Sequence, residues 1–338
     1  MKLHFCFIIA LISSGCRLPQ PEGLAFVSNE DSNTISIIDL SKLDTINSFY
    51  VGWRPRGLKI SPNGKFLYVA LSGSPKCSPS MPEEECDKRH PDKSKDGIAE
   101  VDIRSMKVVR VLPSGSDPEQ FDISPDGRFI FVSNEDVGLL SIIDVEKAAV
   151  VRQIPVGEEP EGVKVSPDGR IVMVTNESDG TLSVIDVASQ KLAGQVKVGN
   201  RPRDIVFSDD GISAYVSNEL DGTISIVDTK ALQETGRIDL KQNSLPMGLQ
   251  FDEGNDILFI ATGRGGSVIT ADVRAKKILS ETVVGKRPWG LALTGDKSHV
   301  ITANGSSNDV SVVEASTGIV VKKINVGNGP WGVVVMAL

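Results

Sequence analysis

A phrase built around one proline recurs along the chain at a nearly fixed distance, and no other feature restricts the fold as strongly. The phrases are "VGWRPRGLKIS", "PSGSDPEQFDIS", "VGEEPEGVKVS", "VGNRPRDIVFS", "NSLPMGLQF", "VGKRPWGLALT" and "VGNGPWGVVV". They centre on Pro55, Pro118, Pro160, Pro202, Pro246, Pro288 and Pro330, spaced 63, 42, 42, 44, 42 and 42 residues apart. A period of about 40–50 residues is the mark of a repeat architecture.

Each unit reads as four strands. In one of them "EGVKVS" alternates, "PDGR" turns, "IVMVTNE" is a strand, "SDGT" turns, "LSVIDV" is a strand and "KLAGQVKVG" closes the unit. Short β-branched runs separated by Asp-Gly turns are hairpin signals. Four antiparallel strands per repeat, arranged radially, make a β-propeller blade. An open β-solenoid has shorter coils and capping repeats, which are not seen.

The two ends complete one another. "GLAFVSNEDSNTISIIDLSKLDTINSFYVG" holds the second, third and fourth strands of a unit, and "GPWGVVV" supplies a first strand with nothing after it. Joining them predicts an all-β, seven-bladed propeller, its ring closed by pairing of N- and C-terminal strands, which removes the exposed edges an open stack would have. The expected organisation is a signal peptide over 1–15, a linker over 16–22 and the propeller over 23–338. The 63-residue spacing places a Pro-rich, charged surface-loop insertion at about 72–97.

The first residues, "MKLHFCFIIALISSGC", carry Lys2 and then eight apolar residues from Phe5 to Ile12. That is too short for a bilayer, which takes ~20 residues, and matches a signal-peptide core. "SSGC" resembles a bacterial lipobox, so Cys16 is the expected lipidation site and first mature residue. This predicts an exported lipoprotein on the periplasmic face of a bacterial membrane, or plain cleavage to the soluble periplasm. Cys77 and Cys86 then remain, and in an oxidising compartment they are expected to pair as a disulfide. Glu83, Glu84, Glu85, Asp87 and His90 in the insertion read as a solvated loop, since nothing fixes ligand geometry; no metal site and no cofactor is expected. The formal net charge of −8 disfavours nucleic acid as a partner.

The repeat phrases resemble the YVTN family of β-propellers: "SPNGKFLYVA", "SPDGRFIFVSNE", "SPDGRIVMVTNE" and "DGTISIVD" stand where that family has its Pro-strand, "SPDGK", "LYVAN" and "VSVID" sequence. "DPEQFDISPDGRFIFVSNED", "VGEEPEGVKVSPDG" and "NGSSNDVSVVEA" with "VGNGPWGVVV" resemble more narrowly the exported propellers associated with pyrroloquinoline-quinone (PQQ)-dependent alcohol catabolism. That resemblance implies an accessory of periplasmic quinoprotein-linked redox catabolism, with a periplasmic dehydrogenase or transport component as partner.

The first strand of a propeller blade lines the central channel. The residue after each repeat proline is therefore expected at one channel mouth: Arg56, Glu119, Glu161, Arg203, Met247, Trp289 and Trp331. These vary in charge and shape, and closure brings Trp331 beside Arg56, so the set is a candidate ligand-binding mouth with an aromatic wall. The rival structural reading pairs the arginines with the glutamates and packs the tryptophans on blade edges. A rim tryptophan is expected to bury less than a core one. By contrast Asn29, Asn134, Asn176, Asn218 and Asn304, and Asp39, Asp102, Asp144, Asp186 and Asp228, repeat in type and read as structural.

No nucleophile elbow, zinc-protease pattern or phosphate loop occurs. The expected function is a monomeric, non-enzymatic binding scaffold for a small ligand or partner protein. The alternatives are a lactonase-like hydrolase, with Glu119 and Glu161 as an acid/base pair, and a haem-carrying redox propeller.

Overall fold

The second and third strands of the repeat are almost continuously apolar because both of their faces are covered. In a computed structural model, residues 22–76, 90–241 and 243–337 are described, and they form seven four-stranded antiparallel sheets. The blade of Pro160–Val165, Ile171–Asn176, Thr181–Asp186 and Lys191–Lys197 is representative, its strands running outward in chain order. The second strand is buried along nearly its whole length, while the outermost is largely exposed. Each core cluster is shared between two neighbouring blades. Phe26, Ile35 and Ile37 of one, for example, pack with Leu58, Leu67, Val69 and Ala99 of the next.

The ring closes as the complementary ends require. Pro330–Met336 is the inner strand of the blade whose other strands are Leu24–Asn29, Thr34–Asp39 and Asp44–Tyr50. Phe26 pairs with Val334 and Val27 with Val333. Among the described residues there is no α-helix, and no helix is long and apolar enough to cross a membrane.

The insertion leaves the second strand of its blade, Phe66–Leu71, and returns at the third, Gly97–Asp102. Asp96 ties its arms down by accepting hydrogen bonds from the backbone N–H groups of Gly73 (2.6 Å) and Asp117 (2.9 Å). The expected leader, lipidation site Cys16, Cys77–Cys86 disulfide and the run Glu83–Asp87 lie outside the described residues.

Candidate functional site at the channel mouth

Each mouth residue is aimed by a local irregularity. In six blades the register slips just after the repeat proline; in one, Pro160 pairs with Asn176 but Val163 with Val174. Such a bulge re-aims a side chain out of the regular alternation. A hydroxyl on the second strand fixes the result. Ser28, Ser133 and Ser217 donate to the carbonyls of Arg56, Glu161 and Met247 on the following blade, each at 2.6 Å, and Thr175 donates to that of Arg203 at 3.3 Å.

The "SNE" and "TNE" phrases thus divide into three roles. The hydroxyl holds the neighbouring mouth residue. The buried Asn ties the second strand to hydroxyls of the third, as in Asn218 donating to Thr223 Oγ1 (3.0 Å) and Ser225 Oγ (2.9 Å). The structural reading of the asparagines therefore holds, though their main partners are side chains rather than turn backbone. The Asp residues at the third-strand ends accept turn N–H bonds, such as Ser189 N to Asp186 (2.7 Å). The glutamates of the phrase, Glu30, Glu135, Glu177 and Glu219, belong to the mouth.

A second set joins them from the residue before each proline. All seven such residues have positive φ, from 43° at Arg54 to 65° at Gly329. Six of the seven line the mouth cavities, and three of these, Arg54, Arg201 and Arg287, carry a positive charge. An X-Pro pair ordinarily reads as extended backbone, so this geometry is hidden in the sequence. The Glu of the phrase, present in four blades, was the available signal.

The sequence-derived set does converge, and its charges are heavily paired. Arg56 contacts Glu119 and lies 3.4 Å from Glu30; Arg54 lies 2.7 Å from Glu30. Arg203 contacts Glu161 and Glu177, and lies 3.5 Å from Glu219. Burial works to raise the pKa of Glu30, but Arg56, Arg54 and Lys76 pull it down to about 2. Glu119 goes the other way: burial drives it well above the usual carboxylate range despite Arg56, aided by Glu135 and Glu161. Burial likewise pushes Glu161 up to about 7 against the attraction of Arg203.

Trp289 and Trp331 stack with centroids 5.8 Å apart and planes 20° apart. Arg203 lies over the Trp289 ring at 5.3 Å and Arg287 at 4.8 Å. Trp331 is only 8% exposed, against the expectation for a rim residue, because closure seats it between two blades. Trp289, half-buried, presents the accessible indole. Met247 is buried beneath Gly263, whose Cβ position lies 2.7 Å from Met247 Cγ.

Two cavities open here. One, about 770 Å³, runs from Arg54, Arg56 and Glu119 to Arg287, Trp289 and Trp331, with Ser74, Pro75, Lys76, Pro91 and Lys93 of the insertion arms on its wall. The other, about 430 Å³, is lined by Glu161, Arg203, Glu219, Arg264, Arg287 and Trp289. Deeper in the channel a third, about 310 Å³, meets a half-buried charged layer where Asp122 lies 3.6 Å from Lys59 and 4.0 Å from Lys164. Among the described residues no group of three or more His, Cys, Asp and Glu side chains is arranged to hold a metal ion.

Comparison with known proteins places this architecture among β-propellers. Residues 85–165 match the YNCE-like beta-propeller family, and residues 161–244 match the cytochrome D1 heme domain. A curated relative, antigen Lp49 of Leptospira interrogans, is 28% identical over 113 residues, a match spanning 33% of this chain and 23% of that protein. Similar solved structures include Kuenenia stuttgartiensis hydrazine synthase, with a TM-score of 0.73 at 19% identity over 91% of this chain and 99% of that one. A candidate 6-phosphogluconolactonase of Bacteroides fragilis NCTC 9343 gives 0.76 at 16% identity over 94% and 98%. Dihydro-heme d1 dehydrogenase NirN in complex with DHE gives 0.65 at 16% identity over 96% and 77%. At these identities the likeness is one of fold, and function rests on the site.

Proposed function

We propose that this protein is a non-enzymatic binding propeller whose channel mouth holds a small, planar, ring-bearing ligand, in the service of periplasmic quinoprotein-linked redox catabolism. The observation that carries the reading is the Trp289–Trp331 stack, set at an open cavity and flanked by arginines. A flat ring gains from offset stacking on an indole, about 0.5–1.5 kcal/mol beyond its buried area. The resemblance to the PQQ-associated propellers and the match to a haem d1 domain both draw on proteins of flat cyclic cofactors.

The mouth does not fit a haem iron. Among the described residues that line it there is no His or Cys, and the thioether of Met247 is 4% exposed. A hydrolase reading draws on Glu161, held near neutrality where a general acid or base works best. Yet Glu119 and Glu161 are each engaged by a buried arginine.

Calorimetric titration with PQQ and with 1-naphthoate tests the binding reading. Saturable binding of at least one is expected, with Trp289→Ala weakening it about tenfold, the scale of a lost stacking contact. Trp53→Ala, at a tryptophan 46% exposed outside the mouth cavities, should leave it unchanged. Equal binding by all three proteins would place the ligand elsewhere.

The leader and "SSGC" support export and membrane anchoring through Cys16 as part of the same reading. Cys16→Ser is expected to move the protein from the membrane to the soluble fraction with its melting temperature unchanged. Membrane association that persists in this variant would remove the lipid anchor from the account.

A further inference from the structure

The mouth arginines follow a pairing rule set by the repeat. Arg54 pairs with Glu30, 24 residues earlier. Arg201 pairs with Glu177, also 24 residues earlier, at 2.7 Å, and lies 3.5 Å from Glu219 of its own blade. Arg287 occupies the same position before its proline and has the same left-handed backbone, with φ of 56°. The two positions that should supply its carboxylates, 287 − 24 = 263 and 287 + (219 − 201) = 305, are Gly263 and Gly305.

Those glycines are held by packing. A Cβ at Gly305 would lie 3.1 Å from Trp289 Cδ1, and one at Gly263 2.7 Å from Met247 Cγ. The room a glutamate would need is taken by the aromatic and thioether side chains of the mouth. Among the described residues Arg287 therefore forms no ion pair within 4.0 Å, although Arg54, Arg56, Arg201, Arg203 and Arg264 each do. Burial lowers its pKa and the Arg264 guanidinium lowers it further, with Arg203 adding to them against the attraction of Glu30 and Glu219. Arg287 lines both mouth cavities and lies over the Trp289 ring.

We propose that Arg287, with Arg264 beside it, is an anion seat that recognises a carboxylate carried by the ring-bearing ligand. The proposal builds on the reading of the mouth as a ring-binding site and narrows its ligand to planar carboxylates. A partly buried cation among like charges is relieved when an anion joins it, and the planar guanidinium fork matches a carboxylate in two parallel hydrogen bonds. The indole beneath then sets the ring while the fork sets its orientation. Neutral rings lose this second contact, so the seat acts as the discriminating element.

The test uses three probes on the intact protein: 1-naphthoate (ring with charge), 1-naphthamide (ring without charge) and inorganic phosphate (charge without ring). Binding is followed by calorimetry and by melting temperature at matched ionic strength. Wild type is expected to prefer naphthoate over naphthamide by about ten- to a hundredfold, the scale of one charge-assisted hydrogen bond. Arg287→Gln should erase that preference, naphthoate then binding no better than naphthamide, and Arg287→Lys should restore part of it. Phosphate should stabilise wild type and not Arg287→Gln.

Equal binding of naphthoate and naphthamide to wild type would overturn the anion seat and leave the ring reading standing. Stabilisation by phosphate that depends on Arg287, with neither naphthyl probe binding, would sustain the seat and overturn the ring reading. No response to any probe would overturn both.

Discussion

Deleting residues 329–338 is expected to abolish cooperative folding. The deletion removes Pro330–Met336, the inner strand of the closing blade, and with it the pairing to Leu24–Asn29. It also empties the cluster in which Val333 packs with Val27, Ile301 and Ala303, and strips the stacking partner of Trp289. Ser28 loses the bond it accepts from Gly332 N at 3.0 Å, part of the bridge that positions Arg56. Each large apolar side chain removed from cover is worth about 1.5–3 kcal/mol. Several such losses, with the edge of Leu24–Asn29 newly exposed, approach the whole stability of a typical domain, about 5–15 kcal/mol. The expected result is aggregation, or a melt without a sharp transition. A cooperative melt within a few degrees of the full chain would contradict closure by this strand.

Arg203→Leu should be the most damaging single change at the mouth. Arg203 is 6% exposed and holds Glu161 and Glu177, with Glu219 close by, all of them buried. Removing one partner of a buried ion pair costs about 3–5 kcal/mol, because the remaining charge keeps its desolvation penalty without compensation. The cost should depend on pH. Glu161 lies at about 7, above the ordinary carboxylate value, because burial outweighs Arg203. A group raised on folding contributes stability that is fully present below its unfolded pKa, about 4.3, and is lost as pH rises through its folded pKa. Without Arg203 that pKa rises further, so the loss on the alkaline side deepens. The variant should lie nearer to wild type at pH 5 than at pH 8 in chemical denaturation. A deficit equal at both values, or none, would show that Glu161 is not held by Arg203.

The ring was legible in the sequence because its evidence is redundant: one proline per blade, Asp-Gly turns and two half-units that complete each other. The seven residues after the prolines were legible as a channel mouth for the same reason. The charged residues around these seven were less legible. Glu135 and Glu177 stand beside structural asparagines in a repeated phrase, so their own role is masked by the neighbour's regularity. Arg54, Arg201 and Arg287 precede prolines, where extended backbone is the usual expectation, and only the left-handed geometry points them at the mouth. Repeat spacing puts Trp289 and Trp331 on adjacent blades but does not encode the stacked ring geometry that accompanies the burial of Trp331. The missing partners of Arg287 are visible only by comparing blades: two glycines where other blades carry Glu.

The mouth, rather than the channel beneath it, is the proposed seat of a flat carboxylate. A crystal structure of the protein grown with 1-naphthoate tests this most directly. The ring is expected against the indole of Trp289, with its carboxylate within hydrogen-bond distance of the Arg287 guanidinium. A naphthoate seated instead in the deeper cavity beside Lys59 and Lys164, with the mouth unchanged, would contradict it.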